Sequence, residues 1–505
     1  MKKKIWDLVC GLLFLLQLAA ETVLAVVVLK MNMLPDKYVV LLIGILAVLL
    51  LFTGFFLFIG RKESLGKTLK RIFACLLSIL IIVGCGIVAK MASDAHKTVQ
   101  TVTKPAPIKN GRDIYIFVRA DDPAQTLEDV ADYSFGVIEN YDVDHIQQAI
   151  ENIEQTIGKA PDVKQYVSAM EIADSLFEGE LDAAVMNGVS VTLMMEQEGY
   201  ADFTEKARIL TSISPVTVEV TEKPTEPAEL ESVEPDQDIT NTPFIIYISG
   251  SDTRSAILDT SRSDVNILMV VNPITKQVLL INTPRDYYIG NPAGYGQLDK
   301  LTHCGIYGID CSVGALEDLY DIDVDYYGQI NFTGVETLVD ALGGVDVYSD
   351  RAFTAITTPI SVGMNHMDGK TALAFSRERY RVPGGDNDRG KHQMQVIKAI
   401  IGKITNGSTI LSNYSSILKS LEGMFVTDVS ADEISLLVKM QLNDMRKWDV
   451  HTVAATGYGG NSVTYSMPGL STYVMYPNRS SVEHNSKLIS LVLSGEILTE
   501  EDLER

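Results

Sequence analysis

The segment Val265–Tyr288, VNILMVVNPITKQVLLINTPRDYY, determines the fold, since it holds two short apolar runs separated by turn residues. Apolar runs of this length are typical of strands that are buried on both faces of a sheet. Residues 273–276 separate the two runs, and Pro284 ends the second one. The segment therefore predicts two neighbouring strands, with Arg285 and Asp286 projecting from the end of the second strand.

Strand and helix patterns alternate through the rest of this region. Strands are predicted by FIIYIS, VDYYGQINF and GVDVYSD, and helices by SVGALEDLYD, GVETLVDAL, GKTALAFSRERY and HQMQVIKAIIGKI. Such alternation predicts an α/β domain, in which helices pack on a central sheet. The pattern covers at least residues 243–405, and further apolar segments extend the domain to residue 505.

A smaller α/β pattern at residues 111–214 predicts an accessory domain. Its strands are predicted by DIYIFVR, FGVI and LDAAVMN, and its helices by DHIQQAIENIEQTI and VKQYVSAMEIADSLF. Residues 215–242 are acidic and rich in proline, a composition that cannot bury a core and therefore predicts an extended linker. Residues 91–110 are polar and contain two prolines, which predicts a stalk above a membrane.

The first 90 residues differ from the rest and predict three transmembrane helices. The apolar runs Leu8–Lys30, Tyr38–Ile59 and Ile72–Ala89 each have the length that crosses about 30 Å of hydrocarbon. A cleaved signal peptide would contain one such run, not three. Lysine and arginine concentrate before the first run and at residues 61–71, so the positive-inside rule places the N-terminus in the cytoplasm and everything after residue 90 outside.

The charge balance excludes nucleic acid as a partner. The 505 residues carry a net charge of −23, and residues 1–90 hold 11 of the 42 basic residues but only 4 of the 65 acids. The remainder therefore has 31 basic and 61 acidic residues, a net charge of −30. DNA and an anionic membrane surface both repel such a domain. The charge says nothing against a small anionic ligand at a local basic site.

A local basic site is indicated by Phe375–Gln393, FSRERYRVPGGDNDRGKHQ. A solvated helix end with surface ion pairs explains this cluster as well as a binding site for a strong anion does. Arg377 and Arg379 point the same way only where the chain is extended. Arg389 lies in the first turn of the next helix, whose free N–H groups favour phosphate, and Gln393 lies one turn later and donates an amide hydrogen bond.

Two acids lie at the edges of predicted strands, each beside an arginine. Asp252 and Asp264 converging from separate loops would hold Mg²⁺ or Mn²⁺, while the simpler alternative is that each caps a turn or pairs with Arg254 or Arg262. We find no nucleophile elbow, zinc-protease helix, P-loop or dinucleotide fingerprint. The remaining chemistry is phosphate handling by arginine and metal, which suits phosphoryl transfer.

Cysteine usage leaves one disulfide open. Cys304 and Cys311 are the two cysteines outside the predicted spans, in the segment CGIYGIDC. A bridge between them is feasible if this segment is a loop. On one continuous helix the two residues would be about 10 Å apart, which is too far for a disulfide.

Six motifs occur in the order of the LytR-CpsA-Psr (LCP) family and resemble its domain over residues 243–405: GSDTR, RSDVNILMVVNPITKQVLLINTPRDYY, DKLTH, VDYYGQINFTGVETLVDALGGVDVY, MDGKTALAFSRERY and GDNDRGKHQMQVI. The N-terminal half is similar to that of capsule-associated members, which have several spans and an extra external module. The resemblance implies an LCP-type central sheet with flanking helices in a Gram-positive-type envelope.

The resemblance also implies a function. LCP proteins are extracytoplasmic phosphotransferases that move a glycopolymer, such as capsular polysaccharide or a teichoic-acid-like polymer, from polyprenyl pyrophosphate to peptidoglycan through a phosphodiester. Arginines bind the pyrophosphate, a divalent cation (Mg²⁺ or Mn²⁺) assists, and the polyprenyl tail lies in an apolar groove.

Residues of this chain that match the family's motifs are expected to act as its site. The expected metal ligands are Asp252 and Asp264, with Asp264, Arg285 and Arg377 in catalytic roles. The pyrophosphate is expected to contact Arg262, Arg285, Lys300, Arg377, Arg379, Arg389 and Gln393, while Asp386 matches a family acid. Thr302 and His392 depart from the pattern, and His392 would loosen the phosphate grip or make it pH-sensitive.

Two other functions fit the same residues. The first is a hydrolase that uses water as the acceptor at the same site. The second is a membrane-bound sensor or regulator that binds lipid-linked precursors without turnover. A transcription factor is disfavoured, because the predicted topology places residues after 90 outside the cell.

Overall fold

The computed structural model describes residues 2–58, 65–103, 113–214, 238–251, 261–406, 417, 421 and 423–504. Three helices form an N-terminal membrane unit: α1 (Lys2–Met31), α2 (Asp36–Phe58) and α3 (Leu65–Val102). Each is long and apolar enough to cross a membrane. The helix α3 continues beyond the predicted span, so the first part of the predicted stalk is helical.

A buried polar network joins the three membrane helices. The side-chain oxygen Oε1 of Gln17 accepts hydrogen bonds from Thr53 Oγ1 at 2.9 Å and from Ser78 Oγ at 2.7 Å. Gln17, which interrupts the first apolar run, is thus satisfied by one hydroxyl from each of the other two helices. Polar contacts of this kind hold membrane helices together.

The small domain, residues 113–214, is an α/β fold around one five-stranded sheet in the order β3-β2-β4-β1-β5. Its strands and helices are β1 (Ile114–Arg119), β2 (Ser134–Ile138), α4 (Val143–Ile157), β3 (Asp162–Tyr166), α5 (Ala169–Glu178), β4 (Ala183–Asn187), α6 (Gly188–Met195), α7 (Phe203–Lys206) and β5 (Ala207–Ile213).

The helix predicted for VKQYVSAMEIADSLF is wrong in its first part. Asp162–Tyr166 pairs with β2 as a parallel edge strand, and the helix begins only at Ala169. Ser168 caps that helix, because its side chain accepts a hydrogen bond from the Glu171 backbone. Pairing with β2 overrides the helical spacing of the apolar residues, which did not indicate an edge strand.

The large domain, residues 244–504, is built on a mixed six-stranded sheet in the order β16-β11-β6-β7-β8-β17. Its strands are β6 (Phe244–Ser251), β7 (Val265–Asn272), β8 (Gln277–Asn282), β11 (Tyr326–Asn331), β16 (Phe425–Thr427) and β17 (Asp449–Ala454). The predicted hairpin is confirmed, since β7 and β8 pair antiparallel from Asn272 opposite Gln277. β11 and β17 run parallel to their neighbours β6 and β8.

Helices and short hairpins cover this sheet. The helices are α8 (Leu301–Tyr307), α9 (Ile309–Tyr320), α10 (Phe332–Ala341), α11 (Gly369–Arg377), α12 (Asp386–Ile404), α13 (Ala431–Asp444), α14 (Arg479–Ser494) and α15 (Glu500–Leu503). Four two-stranded ribbons complete the domain: β9 (Tyr288–Asn291) with β10 (Gln297–Lys300), β12 (Val345–Ser349) with β15 (Gly363–Met367), β13 (Phe353–Ala355) with β14 (Thr358–Ile360), and β18 (Gly457–Thr464) with β19 (Met467–Pro477). The predicted α/β class is confirmed.

One continuous core joins the two external domains. Side chains of the central sheet such as Tyr247 and Leu279 belong to the same buried cluster as Phe117 and Leu176 of the small domain. The opposite face of the central sheet packs against α12 and α13 in a separate cluster that includes Met394. The two domains are therefore packed together, and the cavity described below lies on the other face of the sheet.

Candidate active site

A cavity of about 940 Å³ lies between the central sheet and helices α10 to α13. Its wall changes character along α12, from Arg389 and Gln393 near the start of the helix to Val396, Ile400 and Ile401 further along. The cavity thus has a charged end and an apolar end. The apolar end is completed by side chains from the sheet and from α10 and α13: Ile246, Met269, Ile330, Val335, Leu338, Phe425, Ile434 and Leu437.

The charged end collects most of the residues predicted from sequence. Asp264, Arg285, Arg377, Arg379, Arg389 and Gln393 all line the cavity. Helix α11 ends at Arg377, and Glu378 has extended backbone angles (φ −69°, ψ 124°). The extended backbone allows both Arg377 and Arg379 to reach the cavity, as the sequence required for a shared site. Their roles stay predictions, while their convergence is a property of the fold.

Glu378 and Arg381 belong to this end of the cavity and were not predicted. The buried Glu378 carboxylate accepts hydrogen bonds from the Tyr380 and Arg381 backbone, at 2.9 and 3.0 Å, and from the Arg381 guanidinium at 3.0 Å. Burial opposes ionisation, but the backbone N–H groups of Ile356, Arg381 and Tyr380 outweigh it, so the pKa of Glu378 is lowered. The position of Glu378 between Arg377 and Arg379 was the sequence signal that could have indicated its place in the site.

Asp264 and Arg285 form an ion pair at the charged end. Arg285 Nη1 donates to Asp264 Oδ1 at 2.7 Å, and Arg285 Nε lies 3.7 Å from Asp286. Arg285 lies three residues after the end of β8 at Asn282 and directly follows Pro284, as the sequence predicted. The ion pair fixes the guanidinium beside the carboxylate, so one anionic and one cationic group face the cavity together.

Arg262 and Lys300 lie outside the cavity wall, although both are close to it. Lys300 Nζ lies 3.5 Å from Asp286 Oδ1. Burial lowers the pKa of Lys300, Asp286 opposes this effect, and the positive charges of Arg262 and Arg285 lower the pKa further. Arg262 pairs with Glu196 of the small domain. Each of these two cations is paired with a carboxylate. A pyrophosphate would have to displace that carboxylate before it could make the expected direct contact.

Two predicted acids cannot be placed in the site. Asp252 lies outside the described residues, as does the side chain of Asp386, whose backbone begins α12. Among the residues that the structure does describe, no group of three metal-binding side chains occurs. Magnesium commonly uses one or two carboxylates and fills its other positions with water and substrate phosphate. Asp264 on the cavity wall is compatible with that requirement.

His392 does not line the cavity, so it gives the phosphate site no pH sensitivity through direct contact. Its ring stacks on Phe353 at 5.1 Å and packs against Phe375 at 4.2 Å between centroids. Its Nδ1 atom finds no hydrogen-bond partner among the described residues. Burial lowers the pKa of His392, with Asp388 and Asp350 opposing the shift and Arg351 adding to it. His392 is therefore a neutral core residue, not a neutral-pH switch at the phosphate.

This burial predicts a pH effect on stability. Below the ordinary histidine pKa of about 6.5, His392 binds a proton in the unfolded chain but not in the folded protein. The free energy of unfolding therefore falls with falling pH until the folded pKa is passed. The loss is at most about 1.4 kcal/mol per pH unit for one group. We expect the thermal midpoint of His392→Phe to fall less between pH 7 and 5.5 than that of the unaltered protein. Parallel midpoints in the two proteins would contradict this account.

Thr302 supports the site through its backbone. Its carbonyl accepts from Ser263 N–H at 3.2 Å, and its own N–H donates to the Arg285 carbonyl at 2.8 Å. Thr302 thereby ties together the two segments that bear Asp264 and Arg285. The nearby Cys304 and Cys311 are both free and buried, on two helices that meet at Gly308. The disulfide is absent from the structure, although this segment is not one continuous helix.

The side chain of Lys391 also lies outside the cavity wall and pairs with an acid there. Its ammonium lies 3.6 Å from Asp388, which accepts a hydrogen bond from Arg351 at 3.2 Å and from the Gly384 backbone at 2.9 Å. Gly385 follows with a φ of 55°, a left-handed angle that glycine tolerates at this sharp turn into α12. These contacts shape the loop between the Arg377–Arg379 segment and Arg389.

The fold and the cavity define a class of protein: an α/β domain with one cavity suited in its lining to an elongated apolar group with a strongly anionic end. The profile of the LytR_cpsA_psr family matches residues 210–482. The chain belongs to this family.

Two curated relatives and one solved structure illustrate what this chain is similar to. A polyisoprenyl-teichoic acid–peptidoglycan teichoic acid transferase TagU from Enterococcus faecalis is 32% identical over 225 residues, which is 44% of this chain and 74% of that protein. The Bacillus mycoides TagU is 32% identical over 217 residues, 43% of this chain and 70% of that protein. The crystal structure of B. subtilis TagU is 27% identical, covers 51% of this chain and 100% of its own, and has a TM-score of 0.40.

Proposed function

We propose that this protein transfers a glycopolymer from a polyprenyl-pyrophosphate carrier to peptidoglycan outside the cell, forming a phosphodiester. The observation that carries this proposal is that one cavity has both an apolar end and an arginine-rich end. A polyprenyl pyrophosphate has the same two-part chemistry, and the named relatives are teichoic acid–peptidoglycan transferases. The polymer is proposed only as an anionic or neutral wall glycan of the capsular or teichoic-acid-like class.

The chemistry proposed for the charged end is phosphoryl transfer. An acceptor hydroxyl attacks the phosphorus that bears the glycan, and the bond from that phosphorus to the polyprenyl phosphate breaks. Arg285, Arg377 and Arg389 would stabilise the charge that develops on the phosphoryl oxygens and on the leaving polyprenyl phosphate. The acceptor's proton passes to Asp264 or to solvent.

Asp264 is proposed to orient the acceptor more than to deprotonate it. The Asp264 carboxylate is held in place by a hydrogen bond from Arg285 at 2.7 Å, which suits it to orient a hydroxyl group. Asp264, with Asp252, would also hold Mg²⁺ or Mn²⁺, which supplies Lewis-acid stabilisation of phosphate charge when it is bound. The arginines and Asp264 of this chain supply the positioning that such a reaction requires.

The membrane unit supports the proposed path of the lipid. Lys439 Nζ on α13 lies 2.9 Å from Asp36 Oδ1, and Lys37 Nζ donates to the Asn443 carbonyl at 2.7 Å. The start of α2 therefore contacts the same helix that contributes Ile434 and Leu437 to the apolar end. We propose that the polyprenyl chain passes from the bilayer into the cavity along α13.

These contacts also support the proposed topology. The turn at residues 32–36 and the large domain touch, so they lie on one side of the membrane. The positive-inside rule places that turn outside and residues 59–71 in the cytoplasm. We therefore propose a multi-pass membrane protein with the small and large domains extracellular.

The test is transfer by the full chain in liposomes, with a lipid-linked glycan, peptidoglycan oligomers and Mg²⁺. We expect Leu437→Trp to fill part of the apolar end and to reduce turnover of a long-chain donor at least tenfold. Asp432→Trp on the exposed side of the same helix is the matched control and should transfer normally. Normal turnover of the long-chain donor by Leu437→Trp would contradict the proposed lipid site.

The product distinguishes the alternatives. Glycan attached to peptidoglycan through a phosphodiester supports the transferase. Free glycan phosphate, formed equally with and without peptidoglycan, would support the hydrolase. Binding of the donor with no product in either condition would support the sensor.

A further inference from the structure

The small domain touches the large domain directly beside the proposed phosphate site. Tyr141 and Tyr307 hydroxyl groups are 2.9 Å apart, and the Tyr307 hydroxyl is 2.9 Å from Ser466 Oγ. Tyr307 ends α8, the helix whose Thr302 backbone binds the Ser263 and Arg285 segments. The small domain therefore packs on the element that holds the charged end of the cavity in place.

A charged contact crosses the same junction. Glu196, immediately after α6 of the small domain, forms an ion pair with Arg262. Arg262 is two residues before Asp264, which lines the cavity, and its charge acts on Lys300 together with that of Arg285. The guanidinium thus lies near the charged end but is held by a carboxylate from another domain. About a quarter of the Arg262 side chain is exposed, with 27% accessibility, so a ligand can reach it.

An anion in the charged end would compete with Glu196 for this guanidinium. The cavity wall already carries Arg285, Arg377, Arg379, Arg381 and Arg389. A pyrophosphate is a stronger partner for a guanidinium fork than one carboxylate, because it offers more charge and more acceptor oxygens. Glu196 is 41% exposed, so water can solvate its carboxylate when the contact with Arg262 is exchanged for one with the anion. The exchange therefore needs a rotation of side chains and no movement of either domain.

We propose that Glu196 is a positioning residue that competes with the donor's pyrophosphate for Arg262, so that the small domain sets how tightly the site holds its anionic substrate. This inference rests on the proposed function, since it assumes that the charged end receives a pyrophosphate. It gives the small domain a role in substrate affinity through one side chain, in addition to its packing on α8.

The test measures binding without turnover. Geranylgeranyl pyrophosphate is titrated by calorimetry into the full-length, detergent-solubilised protein and into Glu196→Gln, which keeps the shape of the side chain and removes its charge. We expect the dissociation constant to fall about two- to fivefold in the variant, the scale of a partly exposed ion pair. The gain should shrink at high salt, which screens the contact. An unchanged or larger dissociation constant would overturn the proposal.

Two further variants separate competition from a structural effect. Glu196→Gln combined with Arg262→Gln should bind no more tightly than Arg262→Gln alone, because the gain requires the guanidinium. Asp144→Asn is the matched control, since Asp144 accepts a hydrogen bond from Tyr295 across the same junction without a contact to the site. Its dissociation constant should equal that of the unaltered protein.

A gain that persists without Arg262, or that appears in Asp144→Asn, would mean that loosening the junction affects binding generally, and the proposal would be wrong. If the unaltered protein does not bind the lipid pyrophosphate, both the proposed function and this inference are wrong. Affinity that is present but insensitive to Glu196 would remove only the inference.

Discussion

Replacing Arg285 or Arg377 with alanine is expected to reduce glycopolymer transfer by about two to three orders of magnitude. Removing one preorganised donor from a site that stabilises developing negative charge costs about 10²–10³ in turnover in well-studied enzymes. Both arginines line the charged end of the cavity. Initial rates with lipid-linked donor and peptidoglycan oligomers measure the effect.

The two variants differ in what they leave behind. Arg285→Ala removes the ion-pair partner of Asp264. Arg377 instead stacks on the Phe332 ring at 4.3 Å, so Arg377→Ala leaves the ion pair between Asp264 and Arg285 intact. Arg377→Ala is therefore the cleaner test. Lysine at either position should restore only part of the rate, because it keeps the charge but loses the planar fork.

The matched control for both variants is Arg479→Ala. Arg479 begins α14, its side chain is 91% exposed, and it pairs only locally with Glu483. Its loss should not change the rate. Transfer at the normal rate by either Arg285→Ala or Arg377→Ala would show that the arginine end of the cavity is not the phosphate site.

Replacing Asp299 with alanine is expected to destabilise the protein by about 3–5 kcal/mol, because it leaves several buried hydrogen-bond donors without their acceptor. Asp299 is 1% exposed, and its carboxylate accepts from Asn291 Nδ2 at 2.9 Å, from Ser466 Oγ and from Lys300 N–H at 2.8 Å. His303 Nδ1 lies 2.7 Å away. The network joins β10, α8 and the β18–β19 ribbon.

This contribution also has a defined pH dependence. Burial opposes ionisation, but the His303 charge and the hydrogen bonds from Ser466 and Asn291 outweigh it, so the pKa of Asp299 is lowered. A lowered folded pKa adds stability above the ordinary value of about 3.9, and that stability is lost as the pH falls through the folded pKa. Near neutral pH the full loss should appear in Asp299→Ala as a drop of about 10 °C in the thermal midpoint.

An exposed pair of the same kind provides the control. Asp346 pairs with His366 at 2.8 Å, and their side chains are 54% and 63% exposed. Asp346→Ala should change stability by no more than about 1 kcal/mol, since solvent screens such a pair. Equal effects of Asp299→Ala and Asp346→Ala would mean that burial does not determine the strength of the first network.

The large domain and its cation-lined site were predictable because their signals are local. Two apolar runs separated by a proline-containing turn predict the β7–β8 hairpin, and the placement of Arg285 after Pro284 follows from it. The helix end at Arg377 was foreseen only as one of two options. The backbone at Glu378 is extended, so the chain leaves the helix between Arg377 and Arg379. A single sequence contains no direct signal for this change of backbone conformation.

The features that sequence did not predict depend on contacts between distant segments. The strand Asp162–Tyr166 forms because β2 lies beside it. Arg262 pairs with Glu196, and His392 stacks on Phe353, both of which are distant in the sequence. The family resemblance implied that His392 loosens the phosphate grip or makes it pH-sensitive. Its side chain instead points to the aromatic core, since neighbouring positions on a helix face different directions.

On the proposed topology, the contact between the turn at residues 32–36 and α13 holds the large domain close to the membrane surface. A domain on a loose stalk samples a range of distances from the bilayer, whereas a docked domain keeps its cavity at the membrane surface. The acceptor must then come to the enzyme. Glycan strands newly assembled next to the membrane would be modified, while older strands in the outer layers of the wall would lie beyond its reach.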